Sequence, residues 1–401
     1  MRMSGTGTAG WALAAAAASA MATPPAYTQE AVPDSADAPL AAVRPFVEDG
    51  FGDRPYLTNL LGKAAIGGYA EAHARFERED GTRSEFTFLA KRFNLFVNAQ
   101  VSDFVRFGAE LEIEEAGEEI VLEFMTLDAL IHPSLNLRAG MILVPLGRFN
   151  LAHDSPLNPF TDRPLVTTEL LSVALSEPGL GFYGLLGLGG PARITYEIYA
   201  VNGFDDGLLT ADGVRLAGGS SNFEDNNNAP SVVGRIAWSP QAGRELGLSA
   251  HAGAYNVFEV DGERVDERRD LTIWALDGQL DVGSLELSGE AAIALIDIPP
   301  TLGGLLAEKQ RGMYIDAVHP FWQGRIRHIS GSFFTARARL DLLDLDADLD
   351  GDSVKQISLG LGFHPTRDTA LKLDYVRGRE RDRFNNPADF ARVLFSFASY
   401  F

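Results

Sequence analysis

From Ala64 onward, apolar and polar residues alternate with a period of two, and this pattern restricts the fold more than any other feature of the chain. Successive side chains of a β-strand point to opposite faces, so alternation marks strands whose two faces meet different surroundings. Val105, Phe107, Ala109, Leu111 and Ile113 interleave with Arg106, Gly108, Glu110, Glu112 and Glu114. Phe334, Ala336, Ala338, Leu340 and Leu342 interleave with Thr335, Arg337, Arg339 and Asp341. One face of each run is apolar and the other carries charge.

Two architectures satisfy such strands. In a soluble sandwich the apolar face meets a second sheet and the polar face meets water. In a bilayer-spanning barrel the apolar face meets lipid and the polar face lines a wet lumen. Three features favour the barrel. The alternating runs at 85–101, 245–258 and 369–380 are long enough for the roughly 9–11 residues of a tilted membrane strand. Short turns at Ser102-Asp103, His132–Ser134, Gly189–Ala192, Pro240–Arg244 and His364–Asp368 alternate with longer polar loops at 147–178, 203–229, 259–269, 296–311 and 381–388. Outer-membrane barrels carry short turns at one end and long loops at the other. His132-Pro133, His319-Pro320 and His364-Pro365 all fall at the short-turn end, where a proline that cannot join the ladder belongs. The last strand alternates Val393, Phe395, Phe397, Ser399 and Phe401 against Arg392, Leu394, Ser396, Ala398 and Tyr400. The breaks predict an all-β fold, an antiparallel transmembrane barrel of about 16 strands, with both ends of the sheet at the short-turn side.

The 401 residues then divide into three parts. Residues 1–22 have the pattern of a signal peptide: Arg2, an apolar run from Trp11 to Ala18, and Ala20-Met21-Ala22 as a small-x-small cleavage site. That run is shorter than the roughly 20 residues a spanning helix needs. Residues 23–60, rich in Ala, Pro and Asp, predict an arm with little regular structure, and 61–401 the barrel. The chain has no cysteine, which excludes disulfides and thiol chemistry, and its formal charge of −21 argues against nucleic acid as a partner.

Four stretches carry a resemblance: Ile66-Gly67-Gly68-Tyr69-Ala70-Glu71; Asn136-Leu137-Arg138-Ala139-Gly140 with Pro145-Leu146-Gly147-Arg148-Phe149-Asn150; Ala338-Arg339-Leu340-Asp341-Leu342-Leu343-Asp344; and Ser358-Leu359-Gly360-Leu361-Gly362-Phe363-His364-Pro365 leading to Leu371-Lys372-Leu373-Asp374-Tyr375. With these the chain resembles a known family, the outer-membrane porins of the phosphate-selective O/P type and related general porins. It covers about residues 60–401 and is one of pattern. The resemblance implies an outer membrane of a Gram-negative-type bacterium, a homotrimer, outer-membrane lipid as surroundings, and passive diffusion of small polar solutes or ions. It also implies a long loop folded into the pore as a constriction. Residues 147–178 are the candidate, with Arg148, His153, Asp154, Asp162, Arg163, Glu169 and Glu177. Phe395, Phe397 and Phe401 would form the signal read by the barrel-insertion machinery. Phosphate-selective members line their pores with basic residues, whereas this chain is acidic, with mixed charges at lumen positions.

Parity assigns the lumen. Arg106, Glu110, Glu112, Glu114, Glu119 and Glu123 fall on it from strands three and four, and Arg138, Arg235, Arg337, Arg339, Asp341, Lys372 and Arg392 from other walls. Acidic and basic walls are expected to face one another and set a transverse field. Trp238, Trp274, Phe321, Trp322 and Tyr375 suit interfacial girdles.

Other motifs lack the context for chemistry. Gly179-Leu180-Gly181-Phe182-Tyr183-Gly184 matches a dinucleotide fingerprint, but it lies in a strand with no helix after it. Asp346, Asp348, Asp350 and Gly351 open like an EF-hand loop, yet the twelfth position is Ile357. No catalytic grouping, cofactor or metal is expected. The alternatives to a diffusion channel are a barrel serving adhesion or export, and a secreted soluble β-protein.

Overall fold

The computed structural model describes residues 64–401. The signal peptide at 1–22 and the arm at 23–60 lie outside the described residues. Sixteen antiparallel strands close on themselves. In chain order they are β1 (Ala64–Glu79), β2 (Thr82–Gln100), β3 (Val105–Glu114), β4 (Glu119–His132), β5 (Leu135–Leu143), β6 (Ser176–Gly189), β7 (Ala192–Val201) and β8 (Ser231–Gln241). They continue as β9 (Arg244–Ala254), β10 (Asp270–Val282), β11 (Leu285–Ile296), β12 (Lys309–Phe321), β13 (Phe333–Asp344), β14 (Ser353–Thr366), β15 (Thr369–Arg381) and β16 (Pro387–Tyr400). Each strand pairs with its neighbours in sequence, and β1 closes on β16 in a register running from Tyr69↔Tyr400 to Glu79↔Phe390. Closure leaves no open edge, so every strand has a ladder partner on both sides, as a sheet without water around it requires. No helix among the described residues is long and apolar enough to cross a membrane.

The alternation maps onto inside and outside. Val393, Phe395 and Phe397 are exposed on the outer surface, while Leu394, Ser396 and Ala398 are buried against the interior. The same parity exposes Leu340, Ile357, Leu359, Leu361, Leu373 and Tyr375 and buries Arg337, Arg339, Asp341 and Lys372. An apolar belt of this kind around a polar interior inverts the arrangement of a soluble fold. Phe321, Trp322, Phe334 and Phe363 pack edge-on or tilted against one another at the short-turn end, with Trp322 and Phe334 centroids 5.8 Å apart.

The turns refine the expected pattern. All the predicted short turns lie at one end, with His132, His319 and His364. The opposite end holds the long connections but also two tight ones, at 80–81 and 115–118, and the short-turn end carries one longer segment at 322–332. Strand β3 meets β4 with a register shift after Glu110. That bulge turns both Glu123 and Phe124 inward, which strict parity does not anticipate.

The dinucleotide-like glycines lie within β6. A Cβ on Gly181 would stand 2.0 Å from the Ile198 carbonyl oxygen and 2.7 Å from the Tyr199 Cα. The glycines therefore allow β6 and β7 to approach closely, and no phosphate loop is formed.

Candidate functional site in the barrel lumen

The segment between β5 and β6 crosses the inside of the barrel. The inward piece spans 144–175, so the expected boundary of 147–178 is corrected at both ends: residues 176–178 pair in β6, and Glu177 belongs to the wall. The segment is clamped at its neck by Asn150. Its amide donates to the carbonyls of Val144 (2.8 Å) and Leu175 (2.9 Å), and its Oδ1 accepts from the Leu175 N–H.

From the neck outward, the loop is fixed to walls on opposite sides. Gly147 N–H donates to Ser249 of β9, and Arg148 donates to Gln279 of β10, both at 2.8 Å. Phe149 N–H donates to the Glu290 carboxylate of β11. Farther along, Ser155 donates to Glu71 of β1 at 2.5 Å, and Tyr400 of β16 donates to Asp154 at 2.7 Å. Thr161 N–H donates to Asp374 (2.8 Å), and Leu165 N–H to Asp341 (3.1 Å). Lys372 donates to the carbonyls of Ser155 (2.7 Å) and Phe160 (3.3 Å). Arg339 donates to the Asp162 carbonyl at 2.8 Å, and Arg337 donates to that of Pro159. Both guanidinium groups also lie over the Phe160 ring, 5.4 and 4.6 Å from its centroid for Arg337 and Arg339. A loop carries many backbone groups that no ladder serves, so burying it requires such partners.

The sequence-predicted wall residues other than Glu119, which is exposed at the long-loop end of β4, are buried or half-buried, but their charges are arranged differently from the expectation. Opposed acidic and basic walls would leave buried arginines without partners, which is costly. Instead each arginine has a carboxylate on a nearby strand. Arg106 and Arg138 share Asp128 at 2.7 and 2.8 Å. Arg235 bonds Asp277 (2.6 Å) and Glu245 (2.9 Å). Arg337 pairs with Asp374 (3.0 Å), Arg339 with Asp316 (2.7 Å) and Arg392 with Glu77 (2.9 Å). Among the acids, Glu110, Glu112 and Glu123 converge on the Asn94 amide at 2.6, 2.8 and 3.2 Å, and His153 of the loop meets Glu123. Asp162 pairs with Arg75 at 2.7 Å. Arg163 keeps a buried guanidinium nitrogen without a hydrogen-bond partner, and Glu169 sits in the single helical turn at 166–170.

Sequence reasoning missed Glu71, Arg92, Asn94, Asp128, Asp277, Glu290, Asp316 and Asp374. All lie on inward-facing positions of their strands, so parity could have found them. Which of them face each other depends on register, which composition does not encode.

The interior also holds an apolar cluster. Phe204, Leu208, Val214 and Leu216 of the 202–230 connection fold inward and pack with Val144, Val166 and Leu170 of the crossing loop. They rest on Leu271, Ile273, Ala294 and Leu343 of the β10–β13 walls. Gln310 donates to the Val214 carbonyl (2.8 Å), and Arg215 pairs with Asp352 (2.9 Å), holding that connection in place. Arg215 and Asp352 retain solvent contact here, and other charged interior side chains do so elsewhere. Arg75, Asp162, Glu77 and Arg392 cluster beside β1 and β16 toward the long-loop end, and Arg106 lies toward the short-turn end. Asp346 and Asp348, in the loop that begins like an EF-hand, accept backbone N–H groups of Asp348 (3.3 Å), Leu349 (3.2 Å) and Glu308 (3.0 Å).

No family model matches the sequence. An uncharacterized protein of Aquifex aeolicus is 25% identical over 371 residues, covering 83% of this chain and 80% of that protein. Among solved structures, the chain is similar to an anion-selective porin from Comamonas acidovorans, with a TM-score of 0.53 and 13% identity over 84% of this chain and 99% of that one. It is also similar to the outer-membrane channel DcaP of Acinetobacter baumannii (TM-score 0.54, 13% identity, 84% and 97% covered). Salmonella typhi OmpF, in complex with daunomycin, gives a TM-score of 0.54 at 12% identity, with 84% and 98% covered. At these identities the likeness is one of fold, which in this chain is the closed sixteen-strand barrel.

Proposed function

We propose that this chain is an outer-membrane porin, a passive diffusion channel for small hydrophilic solutes or ions. The observation that carries the reading is the 144–175 segment, bonded to walls on opposite sides of a closed barrel whose outer surface is apolar. A barrel of 16–18 strands leaves an aqueous lumen, and a loop held across it narrows the passage without closing the sheet. The solved structures of similar fold include an anion-selective porin and an outer-membrane channel.

The solvent-contacting charges, Arg75, Glu77, Asp162 and Arg392 on one side of the constriction and Arg106 on the other, mark the route a solute takes. Arg138, Arg235, Arg337, Arg339, Asp341, Lys372, Glu110 and Glu112 build the wall behind it. The arginines of this wall are matched by carboxylates, which supports a mixed-charge lumen over the cationic lining of the phosphate-selective type. The proposal includes a homotrimer in the outer membrane and passage without enzymatic turnover.

Planar-bilayer recording on the purified chain tests the proposal. Step increments in current that grow when residues 150–172 are deleted support it. A barrel that inserts without conducting, with or without the loop, points to adhesion or export.

A further inference from the structure

The outer surface carries a feature the channel reading does not use. Near the long-loop end, across the outward faces of β11 to β15, lies a groove of about 920 Å³. Its charged lining is Arg311, Asp344, Asp350, Lys355, Arg379 and Arg381, and Ala291, Met313 and Leu342 form an apolar floor. The groove sits one row above the apolar belt. On β14, Lys355 is followed outward-facing by Ile357, Leu359 and Leu361; on β15, Leu373 and Tyr375 lead into Arg377, Arg379 and Arg381.

The register sets these cations against each other. Lys355 is directly opposite Arg379, and Arg377 and Arg381 flank Arg379 on the same face. Like charges directly opposite, with side chains roughly 5 Å apart at Cβ, are unfavourable in a sheet. Two of the cations are neutralised: Arg311 by Asp344 (2.9 Å) and Arg379 by Asp389 (2.6 Å). Lys355, Arg377 and Arg381 are in none of the ion pairs found among the described residues, and Arg381 donates to the neutral Asn385 side chain, in a chain of net charge −21. Such a concentration, where hydrocarbon gives way to headgroups, fits an anion that the bilayer itself supplies.

We propose that this groove binds the phosphorylated headgroup of an outer-leaflet lipid, with phosphate on Lys355, Arg379 and Arg381 and the upper acyl chain on Met313 and Leu342. The inference rests on the reading above to the extent that the barrel must span a bilayer with its long-loop end in that leaflet.

Equilibrium binding to the full chain, folded in an uncharged detergent, tests it with three probes: bisphosphorylated lipid A, its dephosphorylated analogue, and inorganic phosphate. The phosphorylated lipid should bind at least about ten-fold more tightly than the dephosphorylated one. The triple variant Lys355→Gln, Arg379→Gln, Arg381→Gln should lose that preference, and Lys355→Arg should keep it. Heat-resistant gel migration reports whether the triple variant is folded; if it is not, Lys355→Gln alone should weaken the preference about three-fold. Equal binding of both lipids, or an unchanged preference in a folded triple variant, overturns the proposal. Displacement of the lipid by millimolar inorganic phosphate overturns it in favour of a free-anion site. Dissociation of an oligomer by the triple variant, without any lipid preference, overturns it in favour of contact between copies. Conductance measured on the same preparations separates the two readings. Equal binding of both lipids by the parent chain, with conductance intact, sinks this inference alone, and a preference without conductance leaves it standing while the channel falls.

Discussion

Lys372, on β15, donates to the carbonyl of Ser155 in the crossing loop at a distance of 2.7 Å, although the two are 217 positions apart in the chain. The ammonium also reaches the Phe160 carbonyl and is fully buried. One wall cation therefore holds two points of the constriction. A hydrogen bond to a charged group contributes about 1.5–3 kcal/mol. Lys372→Met should loosen the loop tip on β15, to which it stays tied by the Thr161 N–H bond to Asp374. The expected outcome is larger and noisier single-channel current with the barrel still heat-resistant on gels. Unchanged current would show that the loop does not depend on this anchor.

Arg339 forms a two-pronged bond with Asp316 at 2.7 and 2.8 Å while also holding the Asp162 carbonyl. Removing one member of a buried pair strands the other charge and costs about 3–5 kcal/mol. Arg337→Glu with Arg339→Glu should lower thermal stability and shift ion preference toward cations. Reversal potentials in a KCl gradient read that shift, and a reversal potential like that of the parent chain would show that these wall charges do not act on the permeating ions.

Gly181 has no room for a side chain, because a Cβ would collide with the β7 backbone. Gly181→Val should prevent β6 and β7 from pairing, so refolding into detergent should give little heat-resistant barrel. Gly187, where a Cβ meets no atom within 4 Å, should accept Ala with little loss of yield.

Phe401 stacks on Phe93 with ring centroids 5.4 Å apart and planes 15° apart, and its N–H donates to the Gly68 carbonyl at 3.0 Å. Stacking of this kind contributes about 0.5–1.5 kcal/mol, too little to decide whether the barrel survives once formed. If Phe395, Phe397 and Phe401 serve as the insertion signal, Phe401→Ala should reduce the amount assembled in cells far more than the stability of the purified barrel. Equal losses in both measurements would make the residue a matter of packing.

Much of the fold was legible because the chain has two different solvents to satisfy. Phe107 and Glu110 cannot exchange faces without placing a carboxylate in the belt, so parity alone assigns inside and outside. His132-Pro133 and its two counterparts mark strand ends because proline breaks a ladder. The interior was less legible. The bulge that turns Glu123 inward breaks parity locally. The pairing of Arg339 with Asp316 and the opposition of Lys355 to Arg379 both need the register between strands. The folding of Phe204, Leu208 and Val214 into the lumen belongs to a loop whose composition resembles any polar connection with a few apolar residues.

On the porin reading, hydrocarbon surrounds the apolar face of these strands. Because the chain has no cysteine, single thiols can be introduced and spin-labelled one at a time. Along β14 in proteoliposomes, labels at Ile357, Leu359 and Leu361 should collide freely with oxygen dissolved in lipid and be shielded from a water-soluble nickel chelate, while labels at Gln356 and Ser358 should not show the oxygen signature. Collision of the Ile357, Leu359 and Leu361 labels with the nickel chelate, at the rate of a label in free solution, would contradict the account.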